Sequence, residues 1–375
     1  MSKQKVVLIV INVDWLFLLH RLAIATALKK EGWRVIVAAK NTGKGEEIEK
    51  KGFEYIDINI SRSGTNLIKE FVAFFNLFFI YKKLQPDVVY QITMKPVIYG
   101  SLISRILNIA TINAISGLGY NFTDQRKSLV QTLMTKMMSL GFNKRNNSLI
   151  FENPEDCSEL KKIGIIKKHN RVTIIKGIGV NLEEFKPLKN TELEKVIILL
   201  PTRMLWDKGV KEFIEAAILL KEEYINKASF ILCGRLDYQN KQGVPKEYLI
   251  KNQFKGYLEW LGNQTDMVTQ YQRADVVVLP SYREGLPVVL MEACAMGKPI
   301  VTTNAIGCKD CVDDGENGYK VNVKSIQELA KAIRYLIDNP KEREKMGKAS
   351  RLKAEKEFDR KFVIEKHLKL FHEFI

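Results

Sequence analysis

Short, unbroken apolar runs alternate with longer stretches in which apolar residues recur at helical spacing. Residues 6–11, Val-Val-Leu-Ile-Val-Ile, form a continuous run of the kind that fills a buried parallel strand. Residues 16–30 then carry a helical pattern, and Gly32 marks its end. Residues 34–39 and 53–58 read as the next strands. After them come an aromatic-rich helix over 67–84, a strand over 87–91 and a helix over 96–107 with Pro96 in its first turn. Residues 149–151 and 172–175 read as the last strands of this half. The alternation restarts with a strand at 196–200, a helix at 208–220 and a strand at 229–233. It continues with a strand at 275–279, a helix at 287–295, a strand at 299–303 and a helix near 326–337. Repeated strand–helix alternation predicts a parallel sheet covered on both faces. Its appearance twice predicts an α/β chain of two Rossmann-like domains, 1–186 and 187–358, joined by a polar linker over 182–190 that contains Pro187. The tail, 359–375, has Phe362, Val363, Leu368, Leu370, Phe371 and Ile375 at its apolar positions, so a helix there must pack on something. Ligands of open parallel sheets bind beyond the carboxyl ends of the strands. Two such domains facing across a cleft suit the joining of two substrates.

Composition sharpens this picture in a few places. At 375 residues the chain is too long for one ordinary core, and 46% hydrophobic with 27% charged residues is ordinary for a soluble protein. The net charge of +16 is uneven: residues 1–189 carry 29 Lys and Arg against 16 Asp and Glu, residues 190–375 carry 30 against 27. A basic half suits a nucleic acid, an anionic membrane surface or a phosphorylated substrate, and it also fits a simply lysine-rich composition. No helix-turn-helix, zinc-finger or RNA-binding aromatic signature supports nucleic acid. Gly117-Leu-Gly119 and Gly43-Lys-Gly45 lack the third glycine of a dinucleotide fingerprint, which argues against an NAD dehydrogenase. Five scattered cysteines do not make a disulfide framework and suggest a reducing compartment. Cys308 and Cys311 have C-x-x-C spacing without a second ligand pair, and read as incidental thiols. The first residues do not read as a signal peptide, and no stretch is apolar and long enough to span a bilayer. Residues 67–84, with Phe71, Phe74, Phe75, Phe78, Phe79 and Tyr81, come nearest. They read either as a core helix or as an interfacial one lying on a membrane.

The candidate chemistry lies in the second half. Arg203 and Lys208, in Thr202-Arg-Met-Leu-Trp-Asp-Lys-Gly209, follow the strand at 196–200, with Lys208 entering a helix. Two cations at a sheet's carboxyl edge can neutralise a diphosphate. Pro280-Ser-Tyr-Arg-Glu-Gly-Leu-Pro287 follows the strand at 275–279. Gly285 permits close backbone approach, and Pro287 suits the first helical position, leaving free N–H groups for a phosphate oxygen. Glu284 before that helix and Glu292 within it offer two carboxylates to sugar hydroxyls. Taken singly, each glutamate reads as a cap or a surface residue.

With Glu284 and Glu292 separated by seven residues behind Arg203 and Lys208-Gly209, the chain resembles the retaining glycosyltransferase family 4, with its GT-B fold. Gly177-Ile-Gly-Val-Asn181 and Phe185, and Gly307, Asp314-Gly315 and Asn317-Gly318, extend the resemblance over nearly the whole chain. It implies that Arg203 and Lys208 hold the donor diphosphate, that Glu292 binds the ribose and that Glu284 faces the donor sugar. It also implies that Gly285, Leu286 and Pro287 face the donor through their backbone, and that the tail helix crosses back onto the first domain. Ser116-Gly-Leu-Gly-Tyr120, Phe151-Glu-Asn-Pro154 and Trp206-Asp-Lys-Gly-Val-Lys-Glu-Phe213 are similar to a subgroup that adds N-acetylgalactosamine to undecaprenyl-diphosphate-linked sugars on the cytoplasmic membrane face.

The resemblance therefore implies a UDP-sugar donor, a polyprenyl-diphosphate-linked acceptor, an anionic membrane surface as partner, no metal and no nucleic acid. It implies a peripheral location on the inner face of the cell membrane, in bacterial glycan or surface polysaccharide assembly. A UDP-sugar epimerase of the same two-domain architecture is the alternative. The chain departs from the family where a glycine pair is usual in the first loop, having Asn12-Val-Asp-Trp15, and where a histidine is usual before Gly117, having Ser116. His20, which follows the first strand, reads equally as a catalytic imidazole or as an ordinary helix residue.

Overall fold

The computed structural model describes residues 4–60, 67–118, 129–188, 194–238 and 240–374. Gly119 and Tyr120, the linker's Asn190 and the tail's Ile375 lie outside them. Two compact units emerge: Met1–Ile178 with Lys361–Ile375, and Gly179–Arg360. The break falls before the stretch 182–190 that the sequence marks as linker, and the tail helix, Arg360–His372, joins the first unit almost whole.

The first unit holds seven strands: β1 (Val6–Val13), β2 (Arg34–Lys40), β3 (Glu54–Asp57), β4 (Val88–Ile92), β5 (Ala110–Ile115), β6 (Asn147–Phe151) and β7 (Arg171–Ile174). Their order is β3-β2-β1-β4-β5-β6-β7, all parallel. The order reverses between β1 and β4, the switch point at which such sheets bind ligands. β1 shows why the apolar run was readable: Val7 to Ile11 are wholly buried because both faces are covered. β5 escaped sequence reading; its Thr111 and Asn113 are buried but satisfied by Asn147, so polar letters break the apolar run.

The expected single helix over 16–30 is two, Asp14–His20 and Leu22–Lys30, broken where Arg21 leaves helical geometry at φ −126°. The aromatic helix Leu67–Leu84 buries one face and exposes another. Ala73, Leu77 and Tyr81, four residues apart, pack into a cluster with Leu8, Val10 and Val89. Ile68, Phe71, Val72, Phe75 and Phe79 form an exposed apolar stripe. The tail helix supplies Val363, Leu370 and Phe371 to the cluster around β1, where Phe371 meets Trp33 edge-on.

The second unit holds β8 (Val196–Pro201), β9 (Ala228–Cys233), β10 (Leu258–Trp260), β11 (Val276–Leu279), β12 (Ile300–Thr303) and β13 (Gly318–Val321). The order is β10-β9-β8-β11-β12-β13, again all parallel, with the switch point between β8 and β11. Trp206–Lys208 is a 3-10 turn and the following helix is Val210–Tyr224, so Lys208 precedes that helix rather than entering it. The helix after β11 is Val288–Ala295, with Pro287 as its cap rather than its first helical residue. Among the described residues no helix is long and apolar enough to cross a membrane.

Candidate active site

The two charged loops of the second unit follow β8 and β11, the two strands that flank the switch point. They are stitched together by the carbonyl of Asp207, which accepts from the Tyr282 amide at 2.9 Å and the Ser281 hydroxyl at 3.1 Å. Gly209 permits this approach. It sits at φ 74°, and a Cβ there would lie 2.2 Å from the Pro280 carbonyl oxygen. On the other side the Glu284 amide donates to the Ile306 carbonyl at 3.0 Å. A Cβ on Gly307 would fall 2.4 Å from the Gly285 oxygen. The loop 280–287 is thus held between two neighbours by backbone contacts that larger residues would break.

The structure brings Lys208 and Glu284 into direct contact. Lys208 Nζ is 2.6 Å from Glu284 Oε1, with both side chains largely buried. Arg203 Nη1 lies 2.9 Å from Asp237 Oδ2. Each pair uses one donor of its cation, and an ammonium has three and a guanidinium five. The carboxylates therefore orient the cations while leaving further N–H groups for other acceptors. Asp207, between the two cations, is raised above the ordinary carboxylate range by burial, and its Oδ1 is buried without a partner. Helix Val288–Ala295 directly follows loop 280–287, and among the described residues no side chain caps its opening amides.

Glu292 lies one turn into that helix, half-buried. Burial pushes its carboxyl up to about 7, against the bond it accepts from the Tyr271 hydroxyl at 2.8 Å. Leu286 is buried and packs rather than projecting, while Gly285 belongs to the clamped loop. His20 closes helix Asp14–His20 in the first unit, half-buried.

Sequence reasoning missed Asp237 and Tyr271. Asp237 sits in an irregular loop after β9, with no pattern to mark it; Tyr271 belongs to helix Met267–Arg273, too short to read by periodicity. The five cysteines are free and buried, and burial pushes the Cys308 thiol up to about 12, as for an inert core thiol. Among the described residues no group of three or more His, Cys, Asp or Glu could hold a metal.

The comparisons with known proteins agree with this architecture. Sucrose-phosphate synthase from Thermosynechococcus elongatus superposes with a TM-score of 0.81 at 18% identity, covering 99% of each chain. Anabaena HepE in complex with UDP and glucose gives 0.78 at 16% identity, over 98% of this chain and 99% of that one. The fold is thus GT-B, two parallel-sheet α/β domains. The family described as Glycosyl transferases group 1 matches residues 181–353, and Glycosyl transferase 4-like matches 6–153. A Campylobacter jejuni protein, N,N'-diacetylbacillosaminyl-diphospho-undecaprenol alpha-1,3-N-acetylgalactosaminyltransferase, is 30% identical over 366 residues, 94% of either chain. The chain is a glycosyltransferase and belongs to family 4 of these enzymes.

Proposed function

We propose that the protein transfers an N-acetylhexosamine, with N-acetylgalactosamine first among the candidates, from a UDP-sugar to an undecaprenyl-diphosphate-linked saccharide, with retention. The observation that carries this reading is the end-to-end similarity to the Campylobacter jejuni enzyme, whose name states that donor sugar and that class of acceptor. An Escherichia coli relative, 26% identical over 72% of its length, is named as a galactosyltransferase acting on a diphosphoundecaprenol-linked sugar. Capsule and glycan assembly is the corresponding process.

In this reading Arg203, Lys208 and the amides opening helix Val288–Ala295 hold the donor diphosphate. They stabilise the charge that builds on it as the sugar departs, which is electrostatic catalysis. Glu284 steers Lys208 and borders the donor sugar; Gly285, Leu286 and Pro287 shape the backbone there. Glu292, ionised, accepts the ribose hydroxyls. The leaving phosphate takes the acceptor's proton, so no protein base is required, and Arg203 and Lys208 take the place of a metal; His20, in the first unit, is the candidate imidazole on the acceptor side.

The lipid acceptor calls for a membrane-facing element. The stripe Ile68, Phe71, Val72, Phe75 and Phe79, closed by exposed Lys82 and Lys83, has the chemistry of an interfacial helix on an anionic leaflet, and the basic first half adds attraction. In this reading the enzyme works peripherally on the cytoplasmic membrane face.

The test is a donor screen: UDP-, GDP-, ADP- and TDP-sugars, followed for nucleotide release with and without a membrane lipid extract. Release of UDP from one sugar only with extract is the expected result. Conversion of a UDP-sugar without any acceptor would replace transfer by epimerisation.

A further inference from the structure

The first unit has a small pocket of its own, at the carboxyl ends of β5, β6 and β7. It is lined by Arg21, Ser116, Glu152, Gly177 and His367, over an apolar floor that includes Ile115 and Ile150. Three of these five belong to motifs that the donor site does not use. Arg21 is only 3% exposed. Its Nε is buried without a partner, and among the described residues its side chain makes one hydrogen bond, Nη1 to the His20 carbonyl, long at 3.4 Å. Among the described residues it has no carboxylate ion-pair partner; its guanidinium carbon stands 5.9 Å from the centre of the Tyr90 ring. A buried guanidinium keeps its charge and calls for several acceptors, and among the described residues the long bond to the His20 carbonyl is the one its side chain is seen to make.

His367 does not compete for that role. Its Nδ1 lies 2.7 Å from the Val363 carbonyl, which can only accept, so Nδ1 carries the hydrogen. Its Nε2 then accepts from the Tyr90 hydroxyl at 3.0 Å. Burial and the charge of Arg21 push it down to about 3, and it stays neutral. Arg21 is left as the donor, and Glu152, whose charge also acts on Tyr90, is the acidic group of the lining. The pocket volume, about 10 Å³, is room for one water or one hydroxyl.

We propose that this pocket seats one hydroxyl of a carbohydrate, which accepts from the Arg21 guanidinium and donates to the Glu152 carboxylate. A hydroxyl is the group that does both, and the negative charge of Glu152 in the lining disfavours a free anion. The inference rests on the acceptor reading above for the identity of the sugar-bearing molecule, which makes Arg21 a specificity residue for the acceptor.

The test uses the full chain and no transfer reaction. The methyl α-glycosides of glucose, galactose, N-acetylglucosamine and N-acetylgalactosamine are offered at millimolar concentration, and binding is read by ligand-observed NMR. At least one is expected to bind, with affinity falling about tenfold or more in Arg21→Gln and in Glu152→Gln, since a site built to bond a hydroxyl suffers when a partner is removed. Thermal unfolding checks that each variant is folded; if Arg21→Gln is not, Glu152→Gln carries the test. No binding to the parent protein, or equal binding in parent and variants, overturns the proposal. Displacement of the glycoside by equimolar inorganic phosphate overturns it in favour of an anion site. A failed donor screen beside Arg21-dependent glycoside binding would sink the transfer reaction and leave the pocket standing.

Discussion

The two sheets share a strand order, with the reversal between β1 and β4 in one and between β8 and β11 in the other, yet their carboxyl edges carry opposite kinds of chemistry. In the second unit the charges are paired in advance, Lys208 with Glu284 and Arg203 with Asp237, on loops clamped by glycines. In the first, Asp14, which opens the helix after β1, locks the loop that follows β2. Its carboxylate accepts from the Thr42 amide at 2.6 Å and the Lys44 amide at 2.8 Å; burial opposes these and other bonds, which together hold it below its usual range. The end of β4 is strained, with Thr93 at φ 71°. The under-satisfied charge, Arg21, sits beside a small polar pocket. One topology thus supports a rigid, pre-oriented cluster of cations in one unit and a selective polar recess in the other. Topology says where a ligand goes, and the loops decide which ligand.

The sharpest way to break this contrast is to remove a cation from the second unit. Arg203→Ala should lower transfer by about 100- to 1000-fold, the size of loss seen when a charge-stabilising donor is deleted, while the fold stays intact with some loss of stability from the stranded Asp237. Near-normal turnover would end the role of this pair. Lys208→Ala should act similarly and also destabilise, because it strands the largely buried Glu284.

The clamp comes next. Gly209→Ala places a Cβ against Pro280 at a positive φ and should cost about 1–3 kcal/mol of stability, with activity falling as the two loops separate. Denaturant unfolding compared with the parent reads it directly, and an unchanged midpoint would show that the loops are not locked.

A pH titration is a subtler probe. Glu292 is pushed up to about 7 by burial, so the folded protein holds its proton more tightly than the unfolded chain does. Stability is therefore lost as pH rises from about 4.5 to about 7, and Glu292→Gln should regain some of it at pH 8 but not at pH 4. If ionised Glu292 accepts the ribose hydroxyls, donor kcat/KM should rise through the same window in the parent and be flat and low in Glu292→Gln. The opposite slope would contradict that role.

The smallest effect concerns the exposed face of helix Leu67–Leu84. Phe71→Ser with Phe79→Ser should weaken cosedimentation with anionic vesicles at low salt, with little change in unfolding temperature, since both rings are exposed. Unchanged vesicle binding would remove this helix from the membrane reading.

How much was legible follows the same divide. The charged cluster of the second unit could be read as strings because loop 202–209 and loop 280–287 each keep their chemistry within eight residues, next to apolar strands that announce themselves. β5 could not, because its polar side chains are satisfied by Asn147, 34 and 36 residues away in the chain. The pocket of the first unit was scattered: Ser116, Glu152 and Gly177 appeared in motifs without a common purpose, and His367 meets Tyr90 across 277 residues.

Alternating apolar and helical periodicity by itself determined two parallel α/β sheets, and the order of cations and carboxylates picked out the charged loops after β8 and β11, because both are local consequences of backbone geometry and short-range chemistry. Pairings belonged to the tertiary structure alone: Arg203 with Asp237, Glu292 with Tyr271, and, among the described residues, Arg21 left without a carboxylate ion pair beside a neutral histidine. Burial sets the cost of each charge, and burial is a property of the packed chain, with no trace in the spacing of the letters.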